Sequence, residues 1–187
     1  FQYQNLIINE LTTGLQFVNV NAIDVNKTGF NYKNGFVALS LNLDITKPNT
    51  TGFDLEFIAK DIDFGALLKE FDYFSLSSFK NAKKVAGKTS IDVIMKGVID
   101  EQNGLDTKSL AGSIEFELNN LELDGFEPIQ KIGDKIFRKE RFENIKFGPI
   151  SETIYIANKT VTIPQMEIQS TAFDLFVEGE LNYENKT

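Results

Sequence analysis

The feature that most constrains this chain is an alternation of apolar and polar residues at period two, repeated along most of its length. Val37, Leu39, Leu41, Leu43 and Ile45 are each separated by one residue. Successive side chains of a strand point to opposite faces, so the run places all five on one face of a sheet. The pattern returns at Phe53, Leu55 and Phe57, at Ile91, Val93 and Met95, and at Ile114, Phe116 and Leu118 with Glu115 and Glu117 opposite. Further strands are expected over about 15–25, 29–32, 144–147, 151–157, 160–169 and 172–181. Turns fall at Lys33-Asn34-Gly35, at 48–52, over the polar stretch 101–108 and at Asn158-Lys159. Asn119-Asn120 suggests a bulge, and Pro164 places its strand at an edge or a bulge because it has no N–H to give a ladder.

The period changes twice. Phe64, Leu67, Leu68 and Phe71 follow helical spacing, with Asp61 or Asp63 as the cap. Phe126, Ile129, Ile132 and Ile136 form a second stripe, with Asp124 as the expected cap, Glu127 in capping-box spacing and Pro128 in the first turn. Residues 75–90 read as a loop, with or without a brief strand in it. About ten strands and two short helices, with no βαβ rhythm, predict a mainly β chain. Its expected form is one domain over 1–187, a curved antiparallel sheet shaped as a β-groove, half-barrel or sandwich.

A sheet with this much Ile, Leu and Phe must cover its apolar face with something. The same alternation serves a closed sandwich core and a groove open to acyl chains equally well, so the cover is protein or lipid. Composition narrows the function classes. A net charge of −8 argues against nucleic acid as the main partner. With no Cys and no His, the chain has no disulfide, no thiolate nucleophile and no Ser-His-Asp triad, and it lacks the commonest zinc ligand. No apolar run approaches the ~18–20 residues that span a bilayer. The chain starts at Phe1 rather than Met and reads as a piece of a longer or processed protein.

Several motifs weaken on inspection. Ala82-Lys83-Lys84-Val85-Ala86-Gly87-Lys88-Thr89 ends like a phosphate-binding loop, but the residues after it alternate like a strand where a helix is required. The i, i+2 carboxylates Glu115/Glu117, Glu178/Glu180 and Asp61/Asp63 fit solvated strand faces better than a glycosidase pair. Four Asn-x-Thr sequons, at Asn26, Asn49, Asn158 and Asn185, are close to chance in an Asn- and Thr-rich chain. No catalytic, metal or cofactor site is expected. A basic run of Lys131, Lys135, Arg138, Lys139, Arg141 and Lys146 stands out in an acidic protein. It suits a solvated helix face near a C-terminus, or a contact with anionic lipid headgroups.

The runs DIDFGALLKEFDYF, IDVIMKGVID and LAGSIEFELNNLELDGFEPIQKI, together with RFENIKFGPISETIYIANKTVTIPQMEIQSTAFDLFVEGE, resemble the AsmA-like C-terminal family of bacterial envelope proteins, in its Bacteroidota form. The most specific matches are Gly125–Gln130, Arg141–Asn144, and Ile163–Met166 running to Phe176–Gly179. The resemblance covers about Asp61 to Gly179 and is looser before that. It implies a non-enzymatic periplasmic segment of a protein anchored in the inner membrane by an N-terminal helix, acting in outer-membrane biogenesis. Phospholipid tails would lie on an apolar β-groove, with other envelope proteins as further partners. On that reading Ile114, Phe116, Leu118, Ile168, Phe173, Leu175 and Val177 face lipid tails. Lys131, Lys135, Arg138 and Lys139 meet headgroups. The alternative is a closed β-sandwich serving as a structural or protein-interaction module of the envelope. The chain departs from the family pattern in lacking the anchor and most of the N-terminal sheet, and in stopping soon after Gly179.

Overall fold

The computed structural model describes residues 2–3, 6–7, 9–19, 21–32, 34–136 and 143–184. A short ribbon pairs β1 (Gln2–Tyr3) with β2 (Leu6–Ile7). The strands that follow are β3 (Asn9–Asn19), β4 (Ala22–Tyr32), β5 (Gly35–Asp44), β6 (Thr50–Asp63), β7 (Lys84–Asp100), β8 (Gly104–Asp124), β9 (Ile145–Lys146), β10 (Ile150–Ala157), β11 (Thr160–Ile168) and β12 (Leu175–Asn182). They form one open antiparallel sheet of ten strands, ordered β12-β11-β10-β8-β7-β6-β5-β4-β3, with β9 beside β10 against β8. The chain is mainly β, as the alternation predicts.

Turn chemistry sets the meander. Tyr32 pairs with Gly35 across a tight hairpin in which Asn34 takes φ of 65°. Ala157 pairs with Thr160 across Asn158 and Lys159, both left-handed, which matches the twist of the flanking strands. The turn after β7 is tighter than the polar stretch 101–108 suggests. β8 already begins at Gly104, because the Asp100 carboxylate accepts from the backbone N–H of Gln102 and Asn103 and closes the turn within three residues. Bulges appear where expected. Asn120 is left-handed at the shift between the Ala86 and Lys88 pairings, and the β11–β12 register slips between Ile163 and Met166, around Pro164.

Helices interrupt the meander at one end of the sheet. Asp63 caps α1 (Phe64–Glu70) by accepting from the Ala66 N–H at 2.7 Å. A 3-10 turn (Asp72–Ser75) and the one-turn α2 (Ser77–Lys80) occupy part of the stretch read as a loop. α3 (Glu127–Ile136) begins later than an Asp124 cap would place it. Asp124 instead closes β8, and its carbonyl accepts from the Lys83 N–H at 2.9 Å. Gly125 then turns at φ of 66°, and the Phe126 carbonyl takes the first helical bonds from Ile129 and Gln130. The described residues therefore hold three short α-helices rather than two. The phosphate-loop lookalike sits within β7, where Ala86 pairs with Glu122 and Thr89 with Leu118 and Ile62.

The sheet does not close on itself, but one corner curls. The Tyr183 hydroxyl donates to the Thr107 carbonyl at 2.7 Å. Glu184 pairs with Lys108 at 2.8 Å and with Lys159 at 2.6 Å. In a flat sheet β12 and β8 would lie roughly 14 Å apart, so the edge strand must bend over the β10–β11 hairpin to reach β8.

Candidate functional site

The pairing register joins the single-faced strands into one apolar surface. Leu43 lies opposite Ile23 and Phe53, and Leu41 opposite Val25 and Leu55. Leu55 faces Met95, Phe57 faces Val93, and Ala59 faces Ile91. Val93 meets Ile114 and Ile91 meets Phe116. Ile114 then meets Ile154, and Leu118 meets Ile150. Val161 and Leu181 carry the row to the β12 edge. From β4 to β12 this face crosses roughly 34 Å of strand spacings. Asn42, Asp54, Glu56, Asp92, Lys96, Glu115, Thr153 and Glu180 fall on the opposite face through the same registers.

Among the described residues, helical cover lies at one end. Leu121, Leu123, Ile129, Ile145 and Ile150 form a buried cluster under α3, with Phe64, Phe79, Val85 and Phe126 packed against it. Phe79 meets Phe64 edge-on at 6.2 Å and Phe126 at 4.8 Å. Beside it Tyr32, Val37, Ala59 and Ile62 form a second cluster against Leu67 of α1. A methyl group at Gly65 would collide with the Val85 carbonyl oxygen, so α1 lies directly on β7. Towards the other end the same face loses its roof. Leu41, Leu43, Phe53, Leu55 and Met95 are half-buried. At the rim Ile99 is 40% exposed, Leu105 49% and Leu181 64%. This uncovered band runs about four residues along the strands, a footprint on the order of 400 Å², which is the size at which patches on monomers are often functional.

The lipid-facing residues expected from the sequence lie towards the covered end and the middle of the face. Ile114 lies on the half-buried middle of the face, and Leu175 and Val177 lie on β12 opposite Ile168 and Met166. Phe116, Leu118, Ile168 and Phe173 pack against the cluster under α3. The residues that line the bare band, Leu41, Leu43, Leu55, Met95, Ile99 and Leu105, are absent from that expected set. The alternation marks Leu41, Leu43, Leu55 and Met95 as strongly as the others, and the position of the helices separates them, whereas Leu105 falls in the stretch read as a polar turn. Of the basic run, Lys131 pairs with Glu127 at 2.6 Å on the exposed face of α3, and Lys135 and Lys146 are exposed. Arg138, Lys139 and Arg141 lie outside the described residues.

The polar chemistry is structural in character. Burial, with the neighbouring Glu70 charge and hydrogen bond, pushes the Tyr32 hydroxyl up to about 12. Hydrogen bonds from Lys108 and Lys159 hold the Glu184 carboxyl below the ordinary glutamate range, and Lys84 does the same for Glu122. Glu115 and Glu117 are exposed on β8. Among the described residues no group of three or more His, Cys, Asp or Glu could hold a metal ion, and no helix is long and apolar enough to cross a membrane. No family model matches the chain, and comparison with curated proteins and with solved structures finds no match.

Proposed function

We propose that this chain is a non-enzymatic, lipid-handling module that holds phospholipid acyl chains on the uncovered half of its apolar sheet face. The observation that carries this reading is the continuous one-sided surface from Ile23 to Leu181, roofed by helices at one end and bare at the rim where Ile99 and Leu105 stand exposed. Acyl chains are the natural cover for such a band. Their burial is non-directional and favourable by roughly 25 cal/mol per Å². The band also offers no ordered set of donors and acceptors that would specify a polar ligand. The resemblance to the AsmA-like family supports a place in the periplasm of a Gram-negative envelope, in a larger inner-membrane-anchored protein acting in outer-membrane biogenesis.

The test is native mass spectrometry of the purified chain, followed by extraction and identification of bound lipid. The expected result is phospholipid at defined stoichiometry, lost in Leu55→Asp while the unfolding midpoint stays near that of the parent. An apo mass with no uptake from phosphatidylethanolamine/phosphatidylglycerol vesicles would overturn the reading and favour a structural module.

A further inference from the structure

Between α1 and the sheet lies a recess of about 140 Å³, lined by Phe30, Tyr32, Val37, Phe57, Ala59, Ile62, Leu67, Phe71, Thr89 and Ile91. Two lining residues carry side-chain polar atoms, and neither presents one to the recess. The Thr89 hydroxyl donates to the Glu117 carbonyl at 3.1 Å, and the Tyr32 hydroxyl is buried beside the Glu70 carboxylate. A wall of this kind offers water no hydrogen-bond partners and suits a small apolar group instead. The recess is also continuous with the bare band, because Phe57 and Ile91 belong to the same rows as Leu55 and Val93. From Ala59 to Phe53 the apolar row of β6 measures about 20 Å. One leaflet of a bilayer's hydrocarbon core is about 15 Å deep.

We propose that the recess is a seat for the methyl end of a single acyl chain, which lies along β6 with its polar end directed away from α1. This rests on the lipid-handling reading above and adds the polarity and the end-stop. The recess is too small for a headgroup. Its wall is also apolar, so a charged end cannot enter without losing its hydration uncompensated. The methyl end loses nothing by entering.

The experiment uses two stearic acids, one carrying a nitroxide near its methyl end and the other beside its carboxyl, with methyl-labelled Ile and Leu in the intact chain. The methyl-end label is expected to broaden the Ile62, Leu67 and Ile91 signals, and the carboxyl-side label those of Leu41, Leu43 and Leu55. Leu67→Trp, which fills the recess from the helix side, is expected to weaken binding of stearate by about tenfold, as loss of a few buried methylenes implies. The reverse pattern, broadening confined to the bare band with both labels, or unchanged affinity in a folded Leu67→Trp would overturn the seat and leave the lipid-handling reading standing. No broadening anywhere with either acid would overturn both.

Discussion

The two ends of this sheet are made from the same strands and the same residue types, yet they are different materials. At the helical end Ile62 is 1% exposed, and α1, α2 and α3 press Phe64, Phe79, Phe126 and Ile129 onto the sheet. At the rim Ile99 and Leu105, on the same face, are 40% and 49% exposed. The difference teaches that alternation chooses the apolar face, whereas the insertion of helices into the meander chooses which part of that face becomes core. Stability should concentrate at the first end and binding at the second.

The largest expected effect tests that division directly. Ile62→Ala should cost about 2–5 kcal/mol, since the side chain is 1% exposed and packed in the second cluster. Leu55→Ala, on the half-buried band, should cost less than half as much because solvent or lipid can fill the gap. Urea unfolding midpoints measure both, and equal losses would break the comparison. Next in size, Gly65→Ala should destabilise by about 1–3 kcal/mol by lifting α1 off the Val85 carbonyl. At the rim Gly104, with φ of 77° and no neighbour within 4 Å, should lose only about 1 kcal/mol on change to Ala, from backbone strain alone.

Smaller effects separate the ends by pH. The Tyr32 hydroxyl, raised to about 12 at the covered end, keeps its proton when an unfolded chain would lose it near 10. The stability it contributes is therefore complete below 10 and is lost as pH rises towards 12. Absorbance titration of the tyrosinates should show one group ionising well after the others. Glu184 works in the opposite sense at the curled corner. Its carboxyl is held below its ordinary 4.5, so its contribution is present above that value and fades as pH falls through the depressed one. Hydrogen-exchange protection factors of the β12 amides should fall in acid, and Glu184→Gln should show the lower protection already at neutral pH. An acid response that appears first at α1 would reverse the comparison.

Much of the architecture is legible residue by residue. Val37 to Leu43, Phe53 to Phe57 and Ile114 to Leu118 show their strands by spacing. Asn158-Lys159 shows its hairpin, and Pro164 its bulge, because each is a local backbone constraint. Asp63 is readable as a cap for the same reason. The one-turn α2 is not, since four residues carry no period and the helix is held by Phe79 against Phe64 and Phe126. Asp124 misleads because pairing with Lys84 keeps it in β8 and the Lys83 N–H holds its carbonyl where the local signal says helix. The site is less legible than the fold. Phe116 and Leu55 have the same pattern, but Phe116 packs against the cluster under α3 and Leu55 sits on the bare band.

By itself, the sequence determined that this chain is a mainly antiparallel sheet with one apolar face, no Cys or His chemistry, and two amphipathic helical stripes. These follow from periodicity and composition, which act over a few residues at a time. Only the tertiary structure decided that the sheet stays open, that the helices gather over one end, and that an apolar recess forms beneath α1. Those outcomes depend on contacts between residues far apart in the chain, such as Leu67 with the cluster that holds Val37, and local alternation has no term for them.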